Sequence, residues 1–98
     1  MIAQKFWNET HRRDLLDFYV AAVKTRSYSD QEGELAQKLL AKMKELGYDE
    51  AYVDAAGNVC GRVGRGGRVI HFDSHMDTVL AENADEWKHP PFAGEIED

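Results

Sequence analysis

The sequence has little of what would suggest export, a membrane span or a nucleic-acid partner. Cys60 is its only cysteine, so no intrachain disulfide can form. A small thiol between Val59 and Gly61 in a strand-like stretch reads as core filling. That usage favours a reducing compartment. No run approaches the ~20 apolar residues of a membrane span, and the start from Met1 to Trp7 has no apolar core of signal-peptide length. A cytoplasmic protein with no membrane partner is therefore expected. Basic charge is short as well: 12 Lys and Arg stand against 18 Asp and Glu, for a formal net charge of −6. Nucleic-acid affinity grows from lysine and arginine displacing condensed counterions, so nucleic acid is not an expected partner. The basic residues are also scattered, at Arg12, Arg13, Lys42, Lys44, Arg62, Arg65 and Arg68, which fits a solvated surface.

What remains is ordinary globular material, with 43% hydrophobic and 31% charged residues. At 98 residues it is one domain at most, and a domain this small buries only roughly 60 to 68% of its unfolded surface. A thin stability margin follows.

Apolar periodicity gives the elements. Leu15, Leu16, Tyr19, Val20, Ala22 and Val23 repeat at helical spacing, which predicts a helix over residues 8–24. Ser29-Asp30-Gln31-Glu32 has the form of a capping box, in which Ser29 and Glu32 satisfy each other's backbone amides. A second helix is expected over residues 30–46, with Leu35, Leu39, Met43 and Leu46 as its buried stripe. Gly47 then stands where a left-handed cap is needed. Strand periodicity takes over at 51–54 and 58–63, around the turn residues Ala55-Ala56-Gly57-Asn58, as in a hairpin. Gly64-Arg65-Gly66-Gly67 reads as another turn, since a phosphate cradle would lead into a helix rather than a strand. Beyond it Arg68–Asp73 is expected to be a core strand covered on at least one face. From Asn83 on, with Trp87 and Phe92 around Pro90-Pro91, no period is visible and an ordered loop is expected.

Chemistry concentrates where that third strand ends. Extended backbone alternates its faces, so His71, Asp73, His75 and Asp77 would share one side if the strand persisted through Asp77. Imidazole and carboxylate are ligand types that zinc accepts, and strand C-termini in α/β sheets are the usual place for sites. A bare His-x-Asp is nevertheless short and common. Its plain reading is a hydrogen-bonded histidine, with Asp73 and Asp77 capping turns.

The wider segment Ile70-His71-Phe72-Asp73-Ser74-His75-Met76-Asp77-Thr78-Val79, followed by Trp87 and Pro91-Phe92, resembles a known family. This is the family of dinuclear-zinc amidohydrolases and exopeptidases that includes aminoacylase, acetylornithine deacetylase, succinyl-diaminopimelate desuccinylase and glutamate carboxypeptidase. Residues 29–34, Gly57-Asn58-Val59 and Trp87-Lys88-His89 look closest to its branch of hydrolases linked to selenium metabolism. The resemblance covers roughly Leu15 to the end of the chain. It implies an α/β fold, the N-terminal part of a three-layer α/β/α catalytic domain in which two helices pack on a mixed sheet. It implies a metal-dependent peptidase or deacylase acting on a small peptide or an N-acyl amino acid. Two zinc ions are implied, with cobalt or manganese as alternatives at such ligands. Carried over residue by residue, it makes His75 a zinc ligand, and makes Asp77 the carboxylate that holds its imidazole and counts as catalytic. Pro90 departs from the branch, which usually has an acid before Pro-Phe, but it touches no implied ligand.

The same resemblance places the bridging aspartate, the adjacent glutamates and the later ligands beyond Asp98. A two-metal site needs several protein groups around ions about 3.5–4 Å apart, so the 98 residues alone are expected to be inactive and at most weak metal binders. Asp73 shares the face of His75 without a family counterpart, and is read as a loop cap or as a hydrogen-bonding neighbour of the ligand. His11 and His89 are read as surface residues, and Trp87 and Phe92 as loop packing, with pocket lining as the alternative. Two rival readings are a non-catalytic acidic interaction domain that keeps the fold, and a mononuclear site formed by His75 from paired copies. A strand at Arg68–Asp73 without later neighbours would leave an edge unpaired, so a homo-oligomer is expected.

Overall fold

The computed structural model describes residues 6–97; the first five positions of the stretch searched for a leader, and the final residue, lie outside the described residues. The chain divides into two units, one running to Thr25 and resuming at Ala81, the other Arg26–Leu80. No helix among the described residues is long and apolar enough to cross a membrane.

The first unit is built on helix α1, Glu9–Lys24. Extended Asn8 caps it, its side-chain oxygen accepting the His11 amide proton at 3.0 Å and so satisfying a donor that the first turn leaves orphaned. Glu9 in the first turn and Lys24 in the last complement the helix dipole. At the far end the Thr25 hydroxyl donates to the Ala21 carbonyl at 2.8 Å. The apolar stripe read from the sequence is helical, but it buries no residue. Leu15, Leu16, Tyr19 and Val23 remain between 36% and 65% exposed. The residues from Ala81 on form one 3-10 turn, Ala84–Glu86, and Trp87 donates its indole N–H to the Glu82 carbonyl at 3.2 Å. Gly94 has φ +66, and a Cβ there would lie 2.8 Å from Lys24 Cγ, so both backbone angle and space demand glycine.

The second unit is helix α2, Gly33–Glu45, packed on a two-stranded hairpin, β1 Glu50–Val53 and β2 Val59–Arg62. The helix starts three residues later than the capping-box reading placed it. Asp30 sits at φ +66, outside the right-handed helical region, and Glu32 at the cap makes no side-chain capping bond. Glu32 does reach back, but to the Asp30 amide at 3.0 Å. The C-terminal end follows the sequence closely. Gly47 takes φ +82, its N–H bonds the Lys44 carbonyl, and the Tyr48 N–H bonds that of Met43, which is the full Schellman arrangement. Of the expected stripe, Leu35 is buried with its neighbour Ala36, while Leu46 is 59% exposed.

The hairpin is antiparallel, with Glu50 opposite Arg62, Ala51 opposite Gly61, Tyr52 opposite Cys60 and Val53 opposite Val59. Gly61 lets helix and sheet approach, since a Cβ there would lie 2.7 Å from both Met43 Sδ and a Tyr48 ring carbon. Asp54, expected to end a strand, instead organises the turn. Its carboxylate accepts the Ala56 and Asn58 amides and the Asn58 side-chain N–H at 2.8 to 3.0 Å.

The largest difference lies beyond β2. The expected core strand Arg68–Asp73 forms no ladder, and the sheet has two strands where a mixed sheet of about three was expected. Val69, Ile70 and Phe72 are 83%, 77% and 89% exposed. Strand propensity is chiefly the fit of a side chain to a pleated, half-buried surface; with no ladder neighbour among the described residues, these apolar residues have nothing to fit. Gly64-Arg65-Gly66-Gly67 accordingly opens a loop rather than a second hairpin, with Gly64 at φ +90 and its amide bonded to Asp49 Oδ2 at 2.7 Å.

Candidate functional site

The residues singled out by pattern lie in the second unit, on the irregular segment that follows the glycine-rich loop. Backbone pairing anchors this segment to the start of the unit: the Thr78 amide donates to the Ser27 carbonyl at 2.8 Å, and Tyr28 and Thr78 form an isolated parallel bridge. Ser27 is 3% exposed, so the anchor is fixed in packed material. The end of the segment is thereby held beside residues about fifty positions earlier, at the loop that leads into α2.

At this anchor His75 and Asp77 meet. The His75 ring nitrogen Nδ1 lies 2.9 Å from the Asp77 backbone carbonyl and 3.1 Å from Asp77 Oδ1. Carbonyl and carboxylate oxygens only accept, so the geometry puts a proton on Nδ1, and in the neutral ring this is the tautomer that leaves the lone pair on Nε2. The His75 side chain is 84% exposed, which leaves that lone pair open to a ligand. The second Asp77 oxygen, Oδ2, accepts the Ser29 hydroxyl proton at 2.7 Å. The Asp77 carboxyl is held below its ordinary value, first by this hydroxyl, against a desolvation that raises it, and then by the neighbouring His75 ring.

The predicted polar stripe is not assembled. His71 and Asp73 are exposed and take part in no hydrogen bond or ion pair among the described residues. Alternation along a strand presupposes the strand, and here it is missing. Asp73 neither caps a described turn nor reaches His75. Among the described residues no three His, Cys, Asp or Glu side chains come together as a group able to hold a metal ion. A metal would meet one exposed imidazole here, with the Asp77 carboxylate already engaged by His75 and Ser29.

Ser29 is the residue that pattern reading assigned elsewhere. Local sequence made it a helix cap; the structure sends its hydroxyl 48 positions along the chain to Asp77. No local signal exists for such a pairing. In the first unit, His89 is more engaged than a plain surface residue, its two ring nitrogens facing Glu95 and Glu97. Trp87 and His89 line a recess of about 330 Å³ with Val23, Pro91 and Glu95, which contains none of the predicted site residues. Phe92 is half-buried.

Known proteins with similar sequence exist. The chain is 31% identical over 84 residues to the uncharacterized protein YgeY of Escherichia coli (strain K12), a match that covers 86% of this chain and 21% of that protein. It is 32% identical over 85 residues to a succinyl-diaminopimelate desuccinylase of Methylorubrum populi, covering 80% of this chain and 22% of that one. With the enzyme of the same name from Roseobacter denitrificans it is 38% identical over 60 residues, 57% of this chain and 16% of that protein. The chain thus spans about a fifth of the length of the curated relatives it matches. No family profile matches it. No solved structure matches it.

Proposed function

We propose that this chain is a segment of a metal-dependent hydrolase that cleaves the amide bond of an N-acyl amino acid or small peptide, with His75 as one metal ligand and Asp77 as the carboxylate that orients it. The observation that carries the reading is the contact of His75 Nδ1 with Asp77: in the neutral ring it keeps the proton on Nδ1 and leaves the exposed ring's Nε2 with its electron pair for a metal. Metal-bound imidazoles characteristically give their other ring proton to a carboxylate or carbonyl, which fixes the ring and raises its basicity. Asp77 supplies both kinds of acceptor.

The similarity to two desuccinylases supports an N-acyl amino acid as the substrate class. Zinc suits an imidazole and carboxylate set, with cobalt or manganese as alternatives. When bound, such an ion activates water and polarises the scissile carbonyl. The chain's own contribution is to present one lone pair in a fixed direction and to keep Asp77 ionised beside it. The low-lying Asp77 carboxyl serves that, because a protonated Asp77 would hold the ring less well. On this reading the remaining ligands and the general base come from residues other than those described, and the chain by itself turns nothing over. A cytoplasmic setting fits the lone cysteine.

Two measurements test the reading. Zinc titration of the purified chain followed by NMR should move the His75 ring signals selectively, and His75→Ala should abolish the response; zinc binding that survives His75→Ala overturns the ligand assignment. Hydrolysis of N-succinyl and N-acetyl amino acids by the chain alone should be absent. Zinc-dependent release of free amino acid would show that no further residues are needed.

A further inference from the structure

We propose that Ser29 is a positioning residue for this site, holding the Asp77 carboxylate in the orientation that keeps the His75 ring in its Nδ1–H form. The inference deepens the proposed hydrolase reading and rests on it for the meaning of the site, though its evidence is separate.

Asp77 has two carboxylate oxygens with different tasks. Oδ1 faces His75 Nδ1 at 3.1 Å and Oδ2 accepts from Ser29 Oγ at 2.7 Å. A carboxylate bound on one side only can rotate about its terminal torsion, which is broad and roughly two-fold. A donor on the second oxygen removes that freedom and fixes the plane in which Oδ1 meets the imidazole. The hydroxyl can hold Oδ2 because Ser29 is itself held. Two residues before it the Ser27 carbonyl takes the Thr78 amide, next to it Tyr28 bridges to Thr78, and the Gln31 amide returns to the Tyr28 carbonyl at 2.7 Å.

The left-handed Asp30 at φ +66 belongs to the same device. It delays the helix to Gly33, so that Ser29 stands outside the first turn with its hydroxyl free to leave the helix. The ordinary use of such a serine is to cap; here that use is given up, and α2 begins without a side-chain cap. The backbone carbonyl of Asp77 also accepts from Nδ1, so the loss of Ser29 weakens the tautomer preference and does not abolish it.

The test is made on the metal-free chain, where it does not depend on hydrolysis. Nitrogen-15 NMR reads the ratio of Nδ1–H to Nε2–H in the neutral His75 ring of the wild type, Ser29→Val and Ser29→Thr. Valine and threonine share a shape and differ in the hydroxyl. The expected result is a severalfold rise in the Nε2–H share for valine and a near wild-type ratio for threonine. In an Asp77→Ala background, Ser29→Val should change nothing further, because the serine acts through the carboxylate. An unchanged ratio in Ser29→Val, equal shifts in both variants, or a full effect surviving in the Asp77→Ala background would each overturn the proposal. Failure of the hydrolase reading shows separately, as zinc binding that ignores His75.

Discussion

Asp54 is held below its ordinary carboxyl value of 3.8, first by the Asn58 side-chain amide and then by the Asn58 backbone N–H, with smaller help from the Ala56 and Gly57 amides against a raising desolvation. A depressed folded value means that the folded chain binds fewer protons than the unfolded one. The stabilisation is then complete above pH 3.8 and is lost as the pH falls through the lower folded value. Amide-exchange protection across β1 and β2 should therefore weaken in that acid window in the wild type. In Asp54→Asn the same window should pass without a change in protection. Gly61 carries a steric prediction: Gly61→Ala drives a methyl into Met43 and Tyr48, and urea denaturation should register a loss of about 1–3 kcal/mol, typical of overpacking.

At the scale of elements, capping explains where prediction succeeded. Gly47 at φ +82 closes α2 with two backbone bonds, and an L side chain in that region costs about 1 to 2 kcal/mol. Gly47→Ala should lower stability by that amount, measured by the same denaturation, while Gly47→Asn should lose less because asparagine tolerates the conformation better. Leu35 is one of two buried hydrophobic residues among those described, and Leu35→Ala should cost about 2–5 kcal/mol, enough to unfold a unit with so little core. Helix α2 and the hairpin were legible because their information is local: a periodic stripe, a glycine after its end, and turn residues between two short apolar runs. The start of α2 was misread because Ser29 and Glu32 form a valid local cap pattern, and only a partner 48 residues away makes the alternative more favourable. The segment at Arg68–Asp73 was misread for a related reason. Its composition suits a strand, but a strand is a pairing, and no ladder among the described residues includes it.

For the molecule as a whole, the balance of exposure matters more than any contact. Large apolar side chains at Val69, Ile70, Phe72, Val79 and Leu80 stand in solvent on one continuous stretch of the second unit. Exposed apolar segments of this kind favour self-association, and light scattering should show the mean mass rising with concentration. Phe72→Lys should suppress the rise, and a strictly monomeric chain at high concentration would contradict the expectation.

What the sequence alone determined is the set of local elements and the chemical suggestion in His75-Met76-Asp77: helical period, left-handed glycine cap, hairpin turn, and an imidazole next but one to a carboxylate. Each is settled by interactions within a few residues, so composition and spacing suffice. What only the tertiary structure decided is which of those groups meet. It brought Ser29 to Asp77, left His71 and Asp73 apart from His75, and turned an expected core strand into exposed chain. These are encounters across loops of tens of residues, where closing the chain costs entropy that only packing and long-range hydrogen bonds offset, and no local pattern encodes that balance.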